Sequence, residues 1–433
     1  MAQQTTIDLK QLHPSQWGTK IVGSTRGDRT IWAMAFLLAV ASMLVVYSST
    51  GSLANKKSIS VETFLFKQAA FISLGMLLIY GAHKVNYMIY ARIAKLMFVL
   101  SIPLLIYTLF FGVSLNEGSR WIKIPVINMT IQSSDFAKLA LFMFLSLQLS
   151  RKQKVIKDFK KGFLPVFLPV VLICGLIAPA NLSTSLLVFG TCLILMFIGR
   201  VNTKHLGILV LSGVVAMASF VLLSVSYYDK ETGRSKELPA FLASGRIPTW
   251  MSRIQVFVYS TKETAVDNDK SFQINQAKIA IANGGWIGLG PGNSLARNFL
   301  PHSYSDFIYA IILEEYGLLG GVVIMLIYLI FLFRCIRLFK RCPFAYGAFL
   351  AMALGFSLVI QAFANMGVNV NLLPNTGVTL PLVSMGGSSF LFTCISIGII
   401  LSVARNVELN EGTENTEATK STPETDTPEP AVA

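Results

Sequence analysis

The sequence predicts an all-α fold, a polytopic integral membrane protein with about ten transmembrane helices, both termini cytoplasmic and one large extracytoplasmic loop. Three observations carry this reading. Of 433 residues, 53% are hydrophobic and 13% charged, against roughly 45–50% and 25% in ordinary soluble domains, which excludes a soluble enzyme. Uncharged apolar runs recur along the chain, each long enough to cross a hydrocarbon core of roughly 30 Å as a helix. These runs are apolar on every face, whereas the strands of a membrane barrel alternate apolar and polar residues.

In chain order the runs lie near 30–49, 64–82, 93–112, 135–150, 162–178, 182–199, 205–226, 305–333, 344–367 and 380–403. The fourth carries Asp135 and Lys138 in its first turn, so it reads as short or re-entrant. Residues 1–29 form a polar N-terminal segment with no apolar h-region of a signal peptide. Residues 30–405 form the membrane domain. The acidic stretch 406–433, rich in Thr, Pro and Glu, is expected to be a disordered cytoplasmic tail.

Orientation follows from the basic residues. With the N-terminus inside, the short inner loops hold 19 Lys and Arg and the short outer loops 4, the bias that positive-inside insertion requires. The net charge of +14 is concentrated beside span ends, where anionic lipid is the simpler partner, so nucleic-acid binding is not expected. Five scattered cysteines and four isolated histidines show no metal-ligand spacing, and no metal site or disulfide framework is predicted.

One connection breaks the pattern. Residues 226–304 lie outside, far longer than the roughly 2–8 residues that usually join helices in a bundle. The loop keeps aromatic residues such as Trp250, Phe257, Phe272, Trp286 and Phe299, amphipathic segments such as SFQINQAKIAIANGG, and the ionisable Arg246, Arg253, Lys262, Glu263, Asp267, Asp269 and Lys278. Function is therefore expected on the outer face, at headgroup depth.

Three motifs carry chemistry. GGWIGLGPGNS (Gly284–Ser294) spaces Gly288, Gly290 and Gly292 so that backbone could approach a phosphate, although a turn packed on the bundle would use the same glycines. PHSYSDFIYAIILEE places Asp306 at a span's start and Glu314 and Glu315 about two turns deeper. Carboxylates at that depth need a cation or backbone donors, and Arg120 and Lys138 are the candidate partners, in a substrate site or in a structural ion pair. NMGVNVNLLPNTGVTLPLVSMGGSSF (Asn365–Phe390) is uncharged and turn-rich between two spans. Irregular backbone at that depth is tolerated where it lines protein or a cavity, so the segment reads as a cavity wall or as a packed hairpin.

On these residues the chain resembles the SEDS family (shape, elongation, division and sporulation) of polytopic peptidoglycan polymerases, over roughly residues 30–405. The resemblance rests on GSRWI (Gly118–Ile122), QSSDFAK (Gln132–Lys138), GLGPGNS, PHSYSDFIYAIILEE and LLPNTGVTLPLVSMGGSS (Leu372–Ser389). TLPL (Thr379–Leu382) and NMGVNVNLLP look like the division members of the family and unlike the elongation members. Three segments depart from the family pattern. Its Gln-Pro-Ser-Glu appears as Gln132-Ser133-Ser134-Asp135, its Pro-Asp-x-Gly-Thr as Pro179-Ala180-Asn181-Leu182-Ser183-Thr184, and the loop segment that normally carries Asp-Pro reads TKETAVDNDKSFQ.

The resemblance implies a glycosyltransferase that polymerises lipid II, with inversion at the anomeric carbon, on the outer face of the cytoplasmic (inner) membrane during septal wall synthesis. It implies a class B penicillin-binding protein and other division proteins as partners. A loop carboxylate would serve as general base. Counting forward from Arg253 and Phe257 puts Glu263 at the family's acid position, and counting back from Phe272-Gln273 puts that position next to Asp267; the expected order is Asp267, Glu263, Asp269. Substrate contacts are expected from Arg120, Lys138, Gln273, Gly290, Asn293, Ser294, His302, Asp306, Glu314, Glu315, Asn365, Pro381, Ser384, Gly386, Gly387, Ser388 and Ser389. No cofactor is firmly implied beyond a divalent cation, Mg or Mn, that could meet the pyrophosphate charge. Competing readings are a lipid II transporter, a non-catalytic division scaffold and an elongation-type polymerase. A transporter needs its site near the midplane with access from both sides, and the one-sided ionisable groups here favour chemistry.

Overall fold

A computed structural model describes residues 27–50, 61–115, 118–124, 129–229, 239, 246–259, 269–300 and 303–420. Helices α1 (Arg29–Ser49), α2 (Val61–Lys84) and α3 (Tyr87–Phe111) lead into a small antiparallel sheet, β1 (Val113–Leu115), β2 (Gly118–Ile124) and β3 (Met129–Gln132). Then come α4 (Ser133–Arg151), a π-turn (Phe159–Phe163), α5 (Leu164–Ile177), α6 (Leu182–Ile198) and α7 (Thr203–Ser226). The outer loop holds α8 (Ile247–Tyr259) and α9 (Asp269–Gly284), and α10 (Ile308–Arg341), α11 (Ala345–Asn369) and α12 (Gly387–Lys420) complete the chain.

Each expected span is a helix, and several begin where a short polar side chain can cap. Asp28 accepts from Thr30 N at 2.9 Å, Asn86 from Met88 N at 3.0 Å and Asn202 from Lys204 N at 3.1 Å, each satisfying an otherwise orphaned first-turn amide. Eight helices among the described residues are long and apolar enough to cross a membrane, the π-turn extending α5. The 17-residue α6 is shorter, and α4 is too polar to qualify on composition. The reason is its position: α4 packs among α3, α5 and α11, and a helix surrounded by protein need not be apolar on its lipid side. It is a full 19-residue helix rather than a re-entrant stub.

Two features depart from expectation. The sheet ahead of α4 was not anticipated; β2 and β3 pair in the register Trp121↔Gln132, Ile122↔Ile131 and Lys123↔Thr130. The last helix also runs past residue 405 to Lys420, into the stretch expected to be disordered. Specific contacts hold its extension: Glu408 Oε2 accepts from Gly27 N at 2.7 Å and Glu411 Oε1 from Arg341 Nε at 2.9 Å. Residues 421–433 lie outside the described residues.

The ends of the bundle sort the loops. Arg334 Nη2 meets Asp28 Oδ1 at 2.6 Å, and Ser402 Oγ donates to the Val85 carbonyl, so the start of α1, the α2–α3 turn, the inner end of α10 and the end of α12 share one side. At the other side Ser303 Oγ donates to the Ser49 carbonyl at 3.3 Å, bringing the large loop to the far end of α1. With cysteines removed elsewhere, Asn298→Cys is expected to react with a membrane-impermeant maleimide on intact cells, and Lys154→Cys only after permeabilisation. Opposite labelling would invert the orientation read from the basic loops.

Candidate active site

A polar cavity of about 500 Å³ opens among α4, α6, α8, α11 and the 377–389 segment. Its wall carries two cations, Lys138 and Arg253, and two carboxylates, Asp135 and Asp306, with Gln361, Thr379, Tyr304 and Ser389 between them. Lys138 Nζ lies 3.4 Å from Asp135 Oδ1 and donates to Gln361 Oε1 at 3.2 Å. Asp135 is buried, and its Oδ2 makes no hydrogen bond. Arg253 projects from α8 and donates through Nη1 to the Asn375 carbonyl at 3.1 Å.

The wall is held by amides of α11. Gln361 Nε2 donates to the Thr379 carbonyl at 3.1 Å, and Asn365 Nδ2 donates to the Asp306 carbonyl at 2.9 Å and the Val378 carbonyl at 2.7 Å. Asn369 Nδ2 joins it on the Asp306 carbonyl at 3.0 Å. Ser384 Oγ donates to the Ser305 carbonyl at 2.6 Å and accepts from Leu380 N at 2.8 Å, while Gln132 N donates to Ser388 Oγ at 3.0 Å. These contacts satisfy irregular backbone that water does not reach. Burial and the Asp306 carboxylate push the Tyr304 phenol above its usual range, so it stays a donor at neutral pH.

The expected site residues divide three ways. Lys138, Asp306, Gly386, Gly387 and Ser389 line the cavity. Asn365, Ser384 and Ser388 are buried behind the wall and support it. Arg120 is described only as backbone on β2, beside the cavity residue Trp121. Asp269 starts α9, its side chain not described, and Glu263, Asp267 and His302 lie outside the described residues. Gln273 sits on α9, away from the cavity lining. Pro381 turns its ring into a small apolar void beside α1, α10 and α11, and its carbonyl accepts from Tyr328.

The charge cluster expected of Lys138 with Glu314 and Glu315 does not form. Lys138 is engaged by Asp135 and Gln361, while the two glutamates face the Gly284–Ser294 loop and the end of α1. There α10 is interrupted at Gly317, φ 66° and ψ −170°, and the loop supplies its missing partners. Leu289 N and Gly290 N donate to the Glu314 and Glu315 carbonyls at 2.9 Å, and Leu318 N and Leu319 N donate to the Gly285 and Trp286 carbonyls at 2.9 and 3.2 Å. Gly290, Asn293 and Ser294 therefore belong to this junction, not to the cavity lining, and the Gly290 amide expected to face a phosphate is already used. The glycines are there for approach: a Cβ on Gly288, φ 89°, would fall 2.2 Å from the Glu315 carbonyl oxygen, and one on Gly284 1.9 Å from that of Leu313.

Sequence reasoning missed Arg253, Gln361, Tyr304 and Thr379 as wall residues. One signal was present: Ser357, Gln361, Asn365 and Asn369 recur every four residues in an otherwise apolar run, which puts them on one face of α11. No three of His, Cys, Asp and Glu gather into a metal cage among the described residues, and Asp135 is committed to Lys138.

Fold and cavity together define a polytopic membrane protein with an outward-facing polar site. The family model FtsW/RodA/SpoVE, described as a cell cycle protein, matches residues 28–409, and the chain belongs to that family. Stage V sporulation protein E of Bacillus subtilis (strain 168) is 33% identical over 389 residues, covering 88% of this chain and 98% of that protein. A probable peptidoglycan glycosyltransferase FtsW of Thioalkalivibrio sulfidiphilus is 32% identical over 411 residues, covering 93% and 95%. Among solved structures, a chain from work on structural coordination of polymerization and crosslinking by a peptidoglycan synthase complex aligns with TM-score 0.67 at 23% identity, covering 88% of this chain and 98% of that one. The rod shape determining protein RodA of Thermus thermophilus aligns with TM-score 0.60 at 22% identity, covering 88% and 97%.

Two substitutions test this geometry. Lys138→Met leaves a buried carboxylate without its cation and should destabilise the protein by about 1–3 kcal/mol; adding Asp135→Asn should recover part of the lost melting temperature. Gly288→Ala requires the loop to leave α10 and should lower the melting temperature and folded yield more than Gly292→Ala, whose Cβ meets open space.

Proposed function

We propose that the cavity is the site at which this chain, a peptidoglycan glycosyltransferase, polymerises lipid II into glycan strands. The observation that carries the reading is the pairing of two cations, Lys138 and Arg253, with neutral donors in one outward polar cavity of a chain belonging to this family. A pyrophosphate leaving group develops negative charge as its bond to the sugar breaks, and fixed donors in a site of low dielectric stabilise that charge most. Lys138 and Arg253 are suited to this, with Tyr304 as a neutral donor.

In the reaction, a general base accepts the proton of the acceptor sugar hydroxyl while its oxygen forms a bond to the donor's anomeric carbon. The bond from that carbon to the pyrophosphate oxygen breaks, and undecaprenyl pyrophosphate leaves with the electron pair. One displacement inverts the configuration. The base is assigned to Asp267, ahead of Glu263 and Asp269, on its spacing from Phe272-Gln273. Resemblance of TLPL and NMGVNVNLLP to the division members supports a role in septal synthesis in the cytoplasmic membrane, with a class B penicillin-binding protein as transpeptidase partner.

Purified protein, alone and with that partner, should polymerise fluorescent lipid II into strands resolved on gels. Asp267→Asn keeps shape and polarity but cannot take a proton, so the rate should fall about 10²–10⁴-fold, while Glu263→Gln and Asp269→Asn stay within about tenfold, or 1.4 kcal/mol. If Glu263→Gln alone abolishes polymerisation, the base is Glu263. If all three keep full activity, the loop is not the source of the base; if the wild type makes no strands, the transporter reading returns.

A further inference from the structure

The outer piece of α10, residues 308–316, is held separately from the rest of the helix. At its start Asn369 Oδ1 accepts from Ala310 N at 3.0 Å, and Asn365 and Asn369 grip the Asp306 carbonyl. At its end the backbone turns away at Gly317. Two adjacent carboxylates, Glu314 and Glu315, sit at that end with 0% and 1% of their surface exposed. Burying an ionised carboxylate is strongly unfavourable unless donors replace its water, and neither residue lines the cavity.

Glu314 has those donors. Its carboxylate accepts from Ser294 Oγ, from Leu295 N at 3.2 Å and from Ala296 N at 3.3 Å. Ser294 Oγ in turn accepts from Arg297 N at 3.2 Å, closing the short helical turn Ala296–Asn298. Glu315 accepts from Ser48 Oγ, and Arg297 Nη1 donates to the Ser48 carbonyl at 3.0 Å. The turn is thereby fixed to both α10 and α1. A few residues on, the same strand of chain becomes Tyr304, Ser305 and Asp306 of the cavity wall. Three donors converging on one side chain suit a carboxylate, which only accepts; an amide there would turn an N–H₂ toward other donors.

We propose that Glu314 is a positioning residue for glycosyl transfer: its carboxylate locks the 294–298 turn to the outer piece of α10 and so sets where Tyr304 and Asp306 stand in the cavity wall. The proposal rests on the glycosyltransferase reading above. It predicts that loosening the turn misplaces reacting groups without removing a substrate contact. Such a change acts on kcat and leaves lipid II binding alone.

The test uses the full chain and Glu314→Gln, nearly the same shape with one acceptor replaced by a donor. Expected are a kcat at least tenfold lower, a KM and a lipid II dissociation constant within twofold of wild type, and unchanged binding stoichiometry, which separates the effect from a misfolded fraction. Hydrogen exchange should quicken in peptides covering 285–298 and 303–307 and stay the same in 320–341. Ser294→Ala should lower kcat less, and its loss should not add to that of Glu314→Gln, because the hydrogen bond it removes is one of those the Glu314 carboxylate makes. Normal kcat with normal exchange in Glu314→Gln overturns the proposal. So does a lipid II affinity weakened more than tenfold, which would make Glu314 a substrate contact, or additive losses in the double variant. If the wild type does not polymerise lipid II, the glycosyltransferase reading fails, whereas the exchange pattern still decides whether Glu314 holds the turn.

Discussion

A helix that breaks inside a packed membrane domain must find new partners for its interrupted amides and carbonyls, since neither lipid nor close-packed side chains offer any. In this chain the break is at Gly317, and the partners are main-chain groups of residues 285–290. The large outer loop is therefore stitched to α10 by four backbone hydrogen bonds and is not a cap resting on the bundle. Glycine is required on both sides of the junction because the backbones approach too closely for a Cβ. Everything outward of the break, including the cavity rim at Tyr304–Asp306, inherits its placement from this seam.

Inward of the rim the problem is different: irregular backbone at 377–386 must line a cavity without leaving its own polar groups unmet. The solution is a row of amides on one face of α11, with Gln361, Asn365 and Asn369 each donating to loop carbonyls. The same row keeps Lys138 in place through Gln361. Polar side chains in the middle of the bundle thus serve twice, satisfying backbone and fixing the charges that face a substrate. The cavity's charged groups stand on α4 and α8 and beside α10, elements held by neighbouring helices rather than by solvent-exposed loops.

Much of this was legible in the residues. Ten apolar runs corresponded to ten helices because a bilayer leaves few alternatives to a helix of that length. The cavity wall at Gly386–Ser389 and the carboxylate at Asp306 were legible because turn-forming and ionisable residues beside spans have few other uses. What stayed hidden depended on distant pairing. Arg253 could not be placed in the wall, because nothing in a single sequence says which face of a loop helix turns inward. Glu314 and Glu315 looked like partners for Lys138, since depth alone suggested a cation, and the backbone donors of residues 295 and 296 that serve Glu314 become visible only when the loop is folded onto α10. The sheet before α4 was missed because its strands are short and lie between two strong helices. The extension of α12 was missed because its composition resembles a disordered tail, and Gly27 and Arg341 supply the contacts its own sequence lacks.

The tie between Gly27 and Glu408 joins residues 381 positions apart, and that between Asp28 and Arg334 residues 306 apart. α1 precedes every other described helix, yet the groups that secure its inner end, Arg334 and Glu408, are synthesised hundreds of residues later. For most of translation the first span therefore sits in the membrane with its N-cap aspartate uncompensated by Arg334. Completion of the bundle is a closure event, in which α12 returns to α1 and sets Glu408 against Gly27. A chain released before Glu408 would hold every apolar run but lack the fastening between α12 and the start of α1.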